Sequence, residues 1–144
     1  PLGRLHRDLG ELDAVGVRRH PRADFLYSDE DKVEPDGTLV DPFLKPGWSP
    51  EFFQTCMYTC HLGAYRTAVV RAVGGFRPEF DFAQDYDLAL RVVAHVERAA
   101  PEPPPAGGPV RAPHSDRIRH IPEVLYHWRK SPQSTASGHE AKPQ

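Results

Sequence analysis

Apolar positions recur at helical spacing most clearly over residues 85 to about 96, where Leu88, Val92 and Val96 form one stripe with Ala89 and Val93 beside it. Residues 5–19 repeat the pattern with Leu5, Leu9, Leu12 and Val15. That helix is expected to end at His20-Pro21, since the residue before a proline avoids the helical region. Residues 65–73 predict a further helix with Val69, Val70 and Val73 inward, stopped by Gly74-Gly75. A short helix starting at Ser49 or Pro50 is expected to run through Phe52, Phe53 and Cys56. Ala23-Asp24-Phe25-Leu26-Tyr27-Ser28 reads as a buried strand, and residues 33–40 as a hairpin turning at Glu34-Pro35-Asp36-Gly37. Residues 118–122 predict an edge-type strand and residues 124–129 a second one. Residues 99–116, rich in proline and glycine, predict a disordered surface insert, and residues 137–144 a tail without pattern. Helices and strands mix, so the class is α/β or α+β, with three or four credible strands and no glycine-rich strand-to-helix turn. A sheet so small predicts one part of a larger architecture.

Composition narrows the partners. The 144 residues suffice for one domain with a modest core, and the apolar fraction of 39% is low for a compact globule. Sixteen prolines against eleven glycines imply much loop. A net charge of -2 gives no basic field to attract nucleic acid or anionic lipid. Cys56 and Cys60 stand at helix-face spacing and have no second pair, which disfavours a disulfide or a zinc knuckle. No run of eighteen apolar residues is present. The expectation is a reducing, cytoplasmic setting, with peripheral attachment at the inner face of the cell membrane left open.

Candidate chemistry concentrates in three places. Gly74-Gly75 opens a loop of aromatics and carboxylates that runs into the helix at Gln84-Asp85-Tyr86-Asp87-Leu88. Asp85 and Asp87 fall in that helix's first turn, where exposed backbone N–H groups favour negative charge. Such a carboxylate can take a proton from a hydroxyl, or it can simply complement the helix end. Asp29 and Asp31 project to one side if the preceding strand continues, and paired carboxylates can hold Mg²⁺ or Mn²⁺ or bind sugar hydroxyls. The alternative is a solvated strand end answered by Lys32. Trp48, in an extended proline-punctuated segment, suits a sugar-stacking platform and a core plug equally.

Taken in order, Tyr27-Ser28-Asp29-Glu30-Asp31-Lys32, Asp41-Pro42-Phe43 with Lys45-Pro46-Gly47-Trp48-Ser49-Pro50, Gly74-Gly75-Phe76-Arg77, Gln84-Asp85-Tyr86-Asp87-Leu88-Ala89-Leu90-Arg91, and Ile121-Pro122 with Leu125-Tyr126-His127-Trp128-Arg129 resemble the C-terminal, acceptor-side half of a family 2 glycosyltransferase. The likeness covers residues 9 to about 136. It implies a partial GT-A fold, a mixed sheet with flanking helices that lacks the N-terminal nucleotide-binding strands. It also implies inverting transfer of a sugar from a nucleotide diphosphate donor to a hydroxyl of a cell-surface glycan or lipid-linked acceptor, with Mg²⁺ or Mn²⁺. Gln84-Asp85 matches the family's acid-acid motif with glutamine first, so Asp85 is implied as catalytic base. His127 matches a position that reaches metal or diphosphate in relatives, and Arg129 would neutralise the leaving group. Trp48, Gln84, Asp87, Asp29 and Asp31 are implied on the substrate side.

The departures matter as much. The family's opening strand, nucleotide loop and Asp-x-Asp metal motif have no counterpart here, and Asp29-Glu30-Asp31 lies one strand too late to replace that motif. The chain is therefore expected to work with a missing N-terminal half or a membrane-associated assembly, and to transfer little alone. The competing expectation is a non-catalytic carbohydrate-binding or assembly remnant.

Overall fold

The computed structural model describes residues 16–99 and 116–130, and everything centres on one strand. β1, Phe25–Val33, carries aromatic and aliphatic residues at its start, which suit a pleated buried surface. β4, Ile118–Arg129, pairs with it in parallel from Phe25↔Ile118 to Val33↔Arg129. On the other edge two short antiparallel strands take turns. β3, Gly63–Tyr65, covers Phe25 to Tyr27, and β2, Leu39–Phe43, covers Glu30 to Val33. The result is a four-stranded mixed sheet.

The β1–β2 hairpin turns as expected. Gly37 adopts φ 91°, Asp36 accepts from the Thr38 N–H at 2.9 Å, and Glu34 and Thr38 close the ladder at 2.9 Å. Two sequence expectations are corrected along the sheet. The strand does not stop at Ser28 but continues through the acidic run, and residues 118–129 form one strand rather than two. The break suggested by Pro122 is absorbed as a bulge. Ser28 pairs with Ile121, Asp29 with Val124 and Glu30 with Tyr126, which leaves Pro122, Glu123 and Leu125 outside the pairing. A proline without an N–H fits such a position at little cost.

Helices flank the sheet: α1, Val17–Arg19; α2, Pro50–Phe53; α3, Thr67–Ala72; and α4, Gln84–Arg98. The earlier part of the helix expected over residues 5–19 lies outside the described residues, as do the inner part of the proline-rich insert and the tail. Ser49 caps α2, accepting the Phe52 N–H at 3.3 Å, and Pro50 sits at its start, where its missing N–H is harmless. α2 ends before Cys56, so the cysteines lie in irregular backbone rather than on one helix face, and both are free. Tyr65, expected in a helix, pairs with Phe25 in β3 instead.

The expected stripe on α4 is the buried one. Leu88, Ala89, Val92, Val93 and Val96 pack with Phe25, Tyr27, Phe53 and Ile118 into the main core. A smaller cluster of Ala23, Leu26, Ile121 and Leu125 forms separately. The open end of the sheet is tied by Asp24. Its buried carboxylate accepts from Arg66 Nε at 2.8 Å and also pairs with Arg117, joining the starts of β1, α3 and β4.

Candidate functional site

The acidic run of β1 is buried, contrary to the solvated alternative: Asp29 is 4% exposed, Glu30 7% and Asp31 7%. Three buried carboxylates on consecutive residues require partners. Asp29 and Asp31 project toward β4, where each meets a histidine. His120 Nε2 lies 2.7 Å from Asp29 Oδ1, and His127 Nδ1 is bonded to Asp31 Oδ1. Lys32, expected to answer them, pairs outward with Asp41 at 3.5 Å.

Glu30 is answered by Lys45. The strand's antiparallel edge changes partner between Tyr27 and Glu30, which leaves ladder groups without a neighbour. Lys45 fills this interval. Its fully buried ammonium donates to the carbonyls of Ser28 at 2.7 Å, Thr59 at 2.8 Å and His61, and to Glu30 Oε2 at 3.1 Å. Its backbone N–H reaches Asp29 Oδ1 at 2.8 Å. Burial pushes the Lys45 ammonium down, while Glu30 pulls it back. Burial alone would raise the Glu30 carboxyl, yet His61 hydrogen bonds and the Lys45 charge bring it below its usual value.

His61 shapes this region. Its ring stacks on Tyr126 at 4.9 Å and leans on Trp128 at 5.0 Å, and its backbone N–H donates to Glu30 at 2.8 Å. Cys60, beside it, donates its S–H to the Met57 carbonyl at 3.0 Å. Burial first, then the Glu30 charge, pushes its thiol up to about 11, so it is a poor nucleophile. Asp85 adds a smaller push in the same direction.

At that N-terminus, Gln84 and Asp85 are exposed. Asp85 Oδ1 accepts only the Tyr86 N–H, at 2.9 Å, and has no ion-pair partner among the described residues. Asp87 differs. Arg77 and Arg91 both grip it, with Arg91 Nη2 at 2.6 Å and Arg77 Nε at 3.2 Å. Hydrogen bonds from Arg77, then Arg91, hold the Asp87 carboxyl at about 2. The expected substrate contact for Asp87 thus meets a carboxylate whose oxygens are both taken. Arg91 also donates to the carbonyls of Val73 at 2.6 Å and Gly75 at 2.7 Å, clasping the glycine turn to α4.

Trp48 is half-buried against Phe53 at 5.1 Å and Phe25 at 6.3 Å, which is the core-plug arrangement. Its buried indole N–H has no acceptor among the described residues. Arg129 ends β4, exposed, opposite Val33. The structure therefore brings together Asp29 and Asp31 with the β4 histidines, and sets Asp85 and Gln84 on another element. Lys45, Glu30, His120 and the arginines on Asp87 escaped the sequence reading. Only His120 had a local signal, its place two residues after Ile118 in a strand facing β1.

The donor set fits Mg²⁺ or Mn²⁺ only in part. A histidine whose Nδ1 is held by a carboxylate keeps Nε2 for a metal, and His127 with Asp31 has that form. Among the described residues no three His, Cys, Asp or Glu side chains gather as a metal site. His127 can therefore supply one ligand, and the described residues gather no full set around it.

No protein-family profile matches this chain. It is similar to the uncharacterized protein y4gI of Sinorhizobium fredii, 37% identical over 143 residues, covering 96% of this chain and 14% of that protein. It is also similar to the O-antigen biosynthesis protein RfbC of Myxococcus xanthus, 32% identical over 124 residues, covering 86% of this chain and 8% of that protein. The chain thus spans a small part of the length of either relative. No helix among the described residues is long and apolar enough to cross a membrane.

Proposed function

We propose that this chain is the acceptor-side portion of an inverting family 2 glycosyltransferase with a GT-A fold, acting in surface-polysaccharide biosynthesis. The observation that carries the reading is the contrast between two carboxylates two residues apart. Asp87 is locked by two arginines, while Asp85 stands exposed in the first turn of α4 with no cation on it among the described residues. The likeness to an O-antigen biosynthesis protein supports the same reading.

Asp85 takes the proton of the acceptor hydroxyl as that oxygen attacks the anomeric carbon. The bond from that carbon to the diphosphate breaks, and its electron pair leaves with the nucleoside diphosphate. A bound Mg²⁺ or Mn²⁺ would stabilise the leaving negative charge, and His127 would be its ligand in this chain. Asp31 orients the His127 ring, and Arg129 offers a further positive charge to the diphosphate. Gln84, exposed beside Asp85, would meet sugar hydroxyls, while Asp29 fixes the segment carrying Lys45 and Trp48 through the Lys45 N–H.

The test is release of nucleoside diphosphate by the native gene product from UDP-, dTDP- and GDP-sugars, with extracted surface glycan as acceptor. Asp85→Asn is expected to slow release by about 10²–10⁴-fold while the thermal melt stays unchanged. Release at the wild-type rate in that variant would overturn the reading.

A further inference from the structure

The loop between α3 and α4 holds an aromatic side chain that nothing in the fold explains. Phe82 is 85% exposed and sits at φ 73°, a left-handed backbone conformation that is costly for a bulky residue. Neither burial nor a glycine-like turn requirement justifies that cost, and strained residues of this kind cluster at functional sites. The loop around it is held firmly. Arg77 pairs with Asp87 and lies over the Phe80 ring at 4.2 Å, and the Ala83 N–H closes on the Phe80 carbonyl at 2.9 Å. Phe82 is thus presented on a fixed turn, three residues before Asp85.

Its surroundings indicate the partner. Glu79, Asp81 and Asp85 are exposed within three residues of it along the chain, and Arg77, the cation carried by the same loop, is paired with Asp87. An anionic bilayer surface would be repelled by this loop. Carboxylates beside an open aromatic face suit a neutral sugar, since the negative ring face receives polarised C–H groups while the carboxylates accept hydroxyl protons. Acceptors carrying carboxylates or phosphates would meet the same repulsion as a bilayer.

We propose that Phe82 is the stacking platform for an uncharged pyranoside acceptor, a positioning residue that delivers the hydroxyl to Asp85. The inference deepens the glycosyltransferase reading and rests on it for the role of Asp85. Saturation-transfer NMR on the native gene product tests it, using methyl glucoside, galactoside, mannoside and rhamnoside, methyl glucuronide, and phosphatidylglycerol vesicles as probes. Transfer from aromatic protons to at least one neutral pyranoside is expected, lost in Phe82→Ala and kept in Phe82→Trp. In turnover, Phe82→Ala is expected to raise the acceptor KM about tenfold with kcat unchanged. Absence of pyranoside transfer, transfer that survives in Phe82→Ala, or Phe82-dependent binding of the vesicles overturns the proposal. Should Asp85→Asn keep full turnover while Phe82→Ala still raises KM, the base assignment falls and the platform stands. The reverse result removes the platform alone.

Discussion

At the scale of single residues, Asp85 and Asp87 share a helix turn and differ only in company. Asp87 has its carboxyl held at about 2, against a usual 3.8, first by Arg77 and then by Arg91. A carboxyl depressed in the folded state contributes stability that is complete above its unfolded pKa and lost as pH falls through the folded one. Asp87→Asn is accordingly expected to melt below wild type at pH 7, with the gap narrowing as pH drops from about 4 toward 2. Melting curves over that range check it, and a gap independent of pH would show that the arginines do not act through the Asp87 charge. Lys45 shows the opposite bargain at residue scale. It gives up hydration to close an interval in the sheet edge and to neutralise Glu30.

At the scale of elements, α4 carries the core. Leu88 is 4% exposed and faces β1, whereas Leu90, two positions on, is 37% exposed. Leu88→Ala is expected to cost about 2–5 kcal/mol, and Leu90→Ala no more than about 0.5 kcal/mol. Urea denaturation separates the two, and equal losses would contradict the assigned face. α4 was legible beforehand because its period is local: Leu88, Val92 and Val96 declare one side within a dozen residues. β1 was read only as far as Ser28, because three acids in a row look solvated until Lys45, His120 and His127 arrive from distant segments. Proline at 122 divided β4 on paper for a similar reason, since a bulge is settled by the neighbouring strand. For the candidate site, the sequence indicated the exposed Asp85 and the common side of Asp29 and Asp31. It did not reveal that Asp87 is a clasp, because Arg77 lies across a loop.

At the scale of the whole molecule, the sheet depends on β4. Without it β1 keeps only two short antiparallel neighbours, which share one edge, and Asp29 and Asp31 lose both histidines. Small ribbons of that kind are marginal in water, and the buried Asp31 would lose the partner that answers it. A chain ending after residue 117 is expected to lose its cooperative thermal transition by far-UV circular dichroism. A sharp melt in the shortened chain would show that α4 alone organises β1.

The pairing of β1 with β4 also sets an order of events during synthesis. Asp31 meets His127 across 96 positions of chain, and Asp29 meets His120 across 91. A nascent polypeptide therefore carries three acids in an unfinished strand while most of the remaining domain is being translated. Contacts between such distant positions form slowly, because a long loop must close before any pairing is gained. Over that interval the repulsion among Asp29, Glu30 and Asp31 works in the protein's favour, since a charged strand edge is a poor template for pairing with another chain. The same carboxylates that look out of place in a finished core are thus expected to make the unfinished strand a poor template for aggregation until β4 is available.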